Sequence, residues 1–287
     1  MTILLALLLV ASLDEGKPVK DAAGEIVELD LTGTWVSDAD MAKVAKLRRL
    51  RKLDLSQTKI TDSGLDHLKP LENVTDLSCY YAEFLTEDGI AHLSNWKRLE
   101  RLNLRGTRIT SKVFDSLAKL TSLRSLDIAF TQIEDDGFEQ LSALTKLESL
   151  AIGGNRLSGA SLPLLKLLPA LVSLDVGGIQ RVDSGLWGLP LTSENLARIA
   201  ELKQLRSLSL AGATLSDRGV DRPGHPEAER SEMRDLGKLA DLVNLERLDL
   251  SRLPITLEDL RALERLPKLR ELRHSLRAPH SRPSDSK

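Results

Sequence analysis

Leu50-Arg51-Lys52-Leu53-Asp54-Leu55-Ser56-Gln57-Thr58-Lys59-Ile60-Thr61-Asp62-Ser63-Gly64-Leu65-Asp66-His67-Leu68 contains two hydrophobic periods in nineteen residues. In the first part, Leu53 and Leu55 alternate with Lys52, Asp54 and Ser56, as they do in a strand whose successive side chains point to opposite faces. In the second part, Leu65, Leu68 and Leu71 recur at helical spacing after Thr61-Asp62, a pair able to accept hydrogen bonds from the free amides of a helix's first turn. One unit is therefore strand, turn and helix.

The unit recurs along the chain. Leucine returns at positions 29, 53, 77, 102, 126, 150, 174, 208, 248 and 272, and the intervals 29→53, 53→77, 102→126, 126→150, 150→174 and 248→272 are all 24 residues. The step 77→102 is 25, while 174→208 and 208→248 stretch to 34 and 40. A repeat of this size predicts a solenoid of stacked units. A single unit buries too few aliphatic side chains to offset the entropy of ordering its backbone, so the units fold as one elongated array.

Helix-start signals recur at Ser37-Asp38, Thr86-Glu87-Asp88, Thr110-Ser111, Glu134-Asp135-Asp136, Ser158, Ser193-Glu194, Ser216-Asp217 and Thr256-Leu257-Glu258. After each strand, Thr34, Thr58, Thr107, Thr131 and Asn155 hold equivalent places, where inward polar side chains would satisfy backbone groups inside the coil. The first strand is expected near Val27 to Leu31.

The phrase Leu-x-x-Leu-x-Leu-x-x-Thr/Asn-x-Ile/Leu resembles the leucine-rich repeat. "QTKITDSGLDHL", "LTEDGIAHL" and "GTRIT" are similar to its bacterial variety with Ile-Thr-Asp-x-Gly-Leu units, and also to the repeats of F-box adaptors, although no F-box is present. The resemblance covers about residues 26–275. It implies an α/β fold, a right-handed curved solenoid with parallel strands on the concave face and helices on the convex face. For function it implies recognition rather than a particular ligand.

Composition agrees with such a core: 41% of residues are apolar but only 3% aromatic. A net charge of −2 with 29% charged residues gives no case for nucleic acid as partner. The one cysteine, Cys79, falls in the inward place of Leu55 and Leu104, which predicts a buried small hydrophobe and allows no intrachain disulfide.

The ends carry separate signals. Ile3–Val10 is an unbroken apolar run followed by Ala11-Ser12, read as a signal peptide over residues 1–12 and hence as export to the periplasm or medium, with no stable membrane anchor after cleavage. The region before the apolar run has no Lys or Arg, so a retained N-terminus on a cytoplasmic scaffold stays open as a second reading. Residues 13–25 form a lead-in or cap, 26–275 the repeat domain, and 276–287 a disordered Pro- and Ser-bearing tail. The long steps place insertions near 179–191 and 221–234, the first apolar enough to pack on the array and the second a polar loop with two prolines.

On a strand face every second side chain is presented to a partner. Alternation puts there Glu28, Asp30 and Thr32, then Lys52, Asp54 and Ser56, then Asp76, Ser78 and Tyr80, then Arg101, Asn103 and Arg105, then Ser125, Asp127 and Ala129, with Gly153 and Gly177 further on. Charged and aromatic residues gather in the N-terminal half. The candidate partner-binding residues are Lys52, Asp54, Asp76, Tyr80, Tyr81, Arg101, Asn103, Arg105, Asp127 and Phe130, with Trp187 and His225 as secondary candidates on the insertions. The aspartates also belong to a repeated "LDL" word, which leaves open that they are simply solvated. The chain is expected to be a monomer whose partner is another protein, with no cofactor. A third reading, a metal-dependent enzyme using His67 and His92, rests on two histidines in equivalent helix places with Asp66 nearby; no further ligand cluster, phosphate loop or nucleophile motif accompanies them.

Overall fold

The computed structural model describes residues 16–182, 185–213 and 236–276. The signal-peptide reading, most of the tail, Ser216-Asp217, the polar insertion and His225 lie outside these residues.

Each ladder leucine lies within a strand, and from Leu53 to Leu208 it is the middle residue of three. β2 (Ile26–Asp30), β3 (Lys52–Asp54), β4 (Asp76–Ser78), β5 (Arg101–Asn103), β6 (Ser125–Asp127), β7 (Ser149–Ala151) and β8 (Ser173–Asp175) pair in parallel, Leu29 with Leu53, Leu53 with Leu77 and onward to Leu174. The chain then makes a separate antiparallel hairpin, β9 (Gln180–Val182) with β10 (Gly185–Trp187), before β11 (Ser207–Ser209) rejoins β8 in register. β12 (Arg247–Ile255) and β13 (Glu271–Leu276) complete the sheet. Of the excursion's apolar residues, Leu189 and Leu191 enter the core, while Ile179 stays exposed.

One edge was not foreseen. Lys17–Lys20 forms β1, antiparallel to β2, and Asp21 turns the chain between them by accepting the Ala23 and Glu25 amides. The exposed strand blunts the sheet edge with two lysines and a proline. The first repeat strand accordingly spans Ile26–Asp30, one residue earlier than expected.

The convex side is α-helical at both ends of the array and tighter in the middle. Asp38–Val44, Asp62–Leu68 and Glu87–Ala91 are α-helices, with Thr61 and Thr86 capping the latter two as their phrases predict. Glu134-Asp135-Asp136 and Ser158, by contrast, open no α-helix: Phe138–Ala143 and Leu162–Leu167 are 3-10 turns. Pro163 near the start of the second and left-handed Gly137 before the first favour these short connectors. The later helix begins at Ser193 with Thr192 as its cap, one residue before the predicted Ser193.

The inward polar residues are hydrogen-bonded as their position demands. The Thr34, Thr58, Thr107 and Thr131 hydroxyls each donate to the carbonyl three residues back, at 2.6–2.8 Å. Asn155, fully buried, accepts from the Thr131 amide and donates to the Ile128 and Ile152 carbonyls. Cys79 is buried in the leucine row, and the apolar surroundings push its thiol far above the ordinary range.

Candidate interaction surface

Two rows of side chains flank the ladder leucines on the concave face. The row before each leucine runs Glu28, Lys52, Asp76, Arg101, then Ser125, Ser149, Ser173 and Ser207. Opposite charges on neighbouring strands meet: Lys52 Nζ lies 2.7 Å from Glu28 Oε1, and Arg101 pairs with Asp76. A cross-strand pair at the surface contributes little stability.

The row after each leucine has a backbone task. Asp30, Asp54, Asn103, Asp127, Asp175 and Asp249 each accept, through one side-chain oxygen, the amide two residues on, at 2.8–3.0 Å. Asn103 can stand among these aspartates because the contact requires only an acceptor. The second carboxylate oxygen is left for other contacts: Asp30 Oδ2 lies 3.7 Å from Lys17, and Asp127 Oδ2 lies 3.6 Å from Arg105. Burial holds the Asp127 carboxyl above the usual carboxylate range, with the Ala129 amide and Arg105 opposing it only in part.

Alternation fails one step further along. Ser56, Ala129, Gly153 and Gly177 were expected on the exposed face and are buried. The strands end before these positions, and the chain turns so closely that a Cβ on Gly153 would sit 1.6 Å from the Gly177 carbonyl oxygen. The amide of the next residue still pairs across the coil: Gln57 donates to the Tyr80 carbonyl, Tyr81 to that of Arg105 and Phe130 to that of Gly153.

Tyr81 and Phe130 stand at this turn with left-handed backbones, φ 52° and 56°. The Tyr81 ring covers Gly106, and the Phe130 ring covers Gly154 and Gly178, so closely that any Cβ on those glycines would clash. Tyr80 and Tyr81 meet edge to face, with centroids 4.7 Å apart, and Arg105 stacks on Phe130 at 4.4 Å. The structure thus forms two pairs, Tyr80 with Tyr81 and Arg105 with Phe130, linked by the hydrogen bond from the Tyr81 amide to the Arg105 carbonyl, and the Tyr81 and Phe130 rings also close on adjacent repeats. Trp187 lies apart on the hairpin, partly buried.

Between β1 and β6 the sheet forms a groove of about 550 Å³. It takes in Lys52, Asp54, Asp76, Arg101, Asn103 and Asp127, and adds Lys17, Glu28, Asp30, Ser78 and Ser125. Lys17 was missed because its strand is outside the repeat; the readable signal was the polar Asp21-Ala22-Ala23-Gly24 turn between two extended stretches. On the convex side His92 Nδ1 lies 3.4 Å from Asp66, whose carboxylate Lys69 also engages. Among the described residues no three His, Cys, Asp or Glu side chains gather to hold a metal, and no helix is long and apolar enough to cross a membrane.

Residues 46–68 and 119–142 match the leucine-rich-repeat family model. Among solved structures, the ectodomain of the Arabidopsis receptor kinase HAESA, in complex with an extended IDA peptide hormone, is 16% identical over 96% of this chain and 50% of its own, with a TM-score of 0.55. A chain of the mouse RP105/MD-1 complex is 21% identical over 80% of this chain and 35% of its own, TM-score 0.51. Internalin C2 of Listeria monocytogenes is 20% identical over 94% and 92%, TM-score 0.48. Comparison with curated protein sequences gives no match. The two structures with higher scores share the curved repeat fold; at these identities the likeness extends to fold alone.

Proposed function

The chain is a leucine-rich-repeat protein, and we propose that it works by non-covalent recognition of another protein along the groove of its strands β1 to β6, without catalysis or cofactor. The observation that carries the reading is the unevenness of the concave face. Where the repeat demands only an acceptor and a leucine, the N-terminal half adds Lys52, Asp76 and Arg101 in the groove and Tyr80 and Arg105 outside its lining, while the middle carries serine, alanine and glycine. A backbone fixed by the sheet presents these groups with little main-chain entropy left to lose on binding, and Tyr and Arg are favoured interface anchors. The HAESA and RP105 structures, both complexes with a peptide or protein, support a protein as the partner.

Affinity capture from the extracytoplasmic fraction of the native source tests this. The intact chain should retain a partner that a Lys52→Ala, Asp76→Ala, Arg101→Ala variant of unchanged melting temperature loses; the same proteins retained by both would refute the groove. We also propose export, supported by the apolar run Ile3–Val10. N-terminal sequencing should find a mature chain beginning near Leu13, and an intact Met1 would contradict it.

A further inference from the structure

A second surface lies beside the groove, on the edge where the chain leaves the strands. Trp35, Lys59 and Arg108 each stand six residues after a ladder leucine, in the first, second and fourth repeats, and Phe84 stands seven after Leu77 in the third. Lys59 Nζ sits 4.5 Å from the centre of the Trp35 ring, and the Arg108 guanidinium 5.7 Å from that of Phe84, both within cation–π range. Trp35 is 76% exposed and Phe84 46%.

These cations differ from others on the same edge. Arg156, in the equivalent place of a later repeat, is paired with Glu134 at 2.8 Å. Among the described residues neither Lys59 nor Arg108 has a carboxylate within ion-pairing distance. Glu83, exposed between them in the row, pairs with neither. Each cation is therefore held against a ring with its charge unmatched, beside apolar area left open to water.

We propose that Trp35, Lys59, Phe84 and Arg108 form a docking ridge for a short acidic segment of a partner protein, one that places carboxylates on the two cations and an apolar side chain on the rings. With neighbouring turns about 4.8 Å apart, the ridge is roughly 15 Å long, the reach of about four or five extended residues. None of the four residues lines the groove, so the ridge stands independently of the reading given for the groove.

The probe is a fluorescein-labelled peptide of about six residues alternating glutamate and tyrosine, followed by anisotropy with the full chain, against an oligouridylate of equal charge. The peptide should bind the intact chain in preference to the oligouridylate. Lys59→Glu with Arg108→Glu, and separately Trp35→Ala with Phe84→Ala, should each weaken it by about tenfold or more, whereas Lys52→Ala with Arg101→Ala should leave it unchanged. All these side chains are at least partly exposed, so an unaltered melting temperature verifies each variant's fold. No peptide binding by the intact chain, equal binding by the ridge variants, or tighter oligouridylate binding would overturn the ridge.

Discussion

Gly33, Gln57, Tyr81, Gly106, Phe130, Gly154, Gly178, Gly212 and Arg252 all follow a ladder leucine by four residues, and all have left-handed backbones. An L-side chain there costs about 1–2 kcal/mol, yet four repeats accept it. In two of them the reason is visible: the Tyr81 and Phe130 rings fill the space that the next repeat's glycine leaves. Gly33 and Gly106 separate the two costs. A Cβ on Gly33 meets nothing within 4 Å, whereas one on Gly106 would lie 2.8 Å from the Tyr81 ring. Gly33→Ala should therefore cost about 1 kcal/mol and Gly106→Ala about 3 or more in chemical denaturation; equal losses would show that the ring seat is unimportant. Gln57→Gly should stabilise by about 0.5–1 kcal/mol. Tyr81 and Phe130 are candidates in the sequence as aromatics close to Arg101 and Arg105, and alternation alone does not show that a left-handed turn lays their rings on the neighbouring coil. The glycines in equivalent places were the available clue, and the four non-glycine repeats hid it.

Among the helices, the phrase Thr-Asp-x-Gly is a word written across two repeats. The Thr61 amide and hydroxyl donate to Asp38 at 2.8 and 2.6 Å, and those of Thr86 to Asp62 at 2.9 and 2.7 Å. Gly64 and Gly89 make room for these carboxylates: a Cβ on Gly89 would stand 2.3 Å from Asp62 Oδ1. Replacing a helical glycine by alanine ordinarily stabilises by about 1 kcal/mol. Here Gly89→Ala should destabilise by about 1–3 kcal/mol, and Asp62→Ala in the same chain should recover part of the loss; a stabilising Gly89→Ala would refute the clasp. Asp135 does the same work for the 3-10 turns, accepting the amides and hydroxyls of Ser158 and Ser161. Burial acts against its charge, but those hydrogen bonds outweigh it and hold the carboxyl below the ordinary 3.8. Its stabilising effect is complete above that unfolded value and is lost as pH falls through the lower folded one. Asp135→Asn should lower the melting temperature at pH 7, with the difference from the parent shrinking below pH 4; a constant difference would contradict the assignment. The sequence announced Thr and Asp as helix-start residues, which they are at Thr61 and Thr86, but their inter-repeat partners and the 3-10 geometry depend on how the coils stack.

At the scale of the molecule, the leucine spacing was enough to predict the parallel register throughout, because every ladder leucine must enter the same row and a one-residue slip would turn it outward. The cap strand β1 and the hairpin β9–β10 escaped that logic, since neither obeys the repeat. The groove was half legible for a related reason: its charged residues on repeat strands could be placed by alternation, while Lys17 arrives from the cap. The groove account places recognition on this concave N-terminal half, and amide hydrogen exchange of the chain with its captured partner bound tests it most directly. Slowed exchange at residues 30–34, 54–58, 78–82 and 103–107, where the strands run into their turns along the groove, is the predicted result. Protection confined to the convex helices at Asp62–Leu68 and Glu87–Ala91 would contradict it.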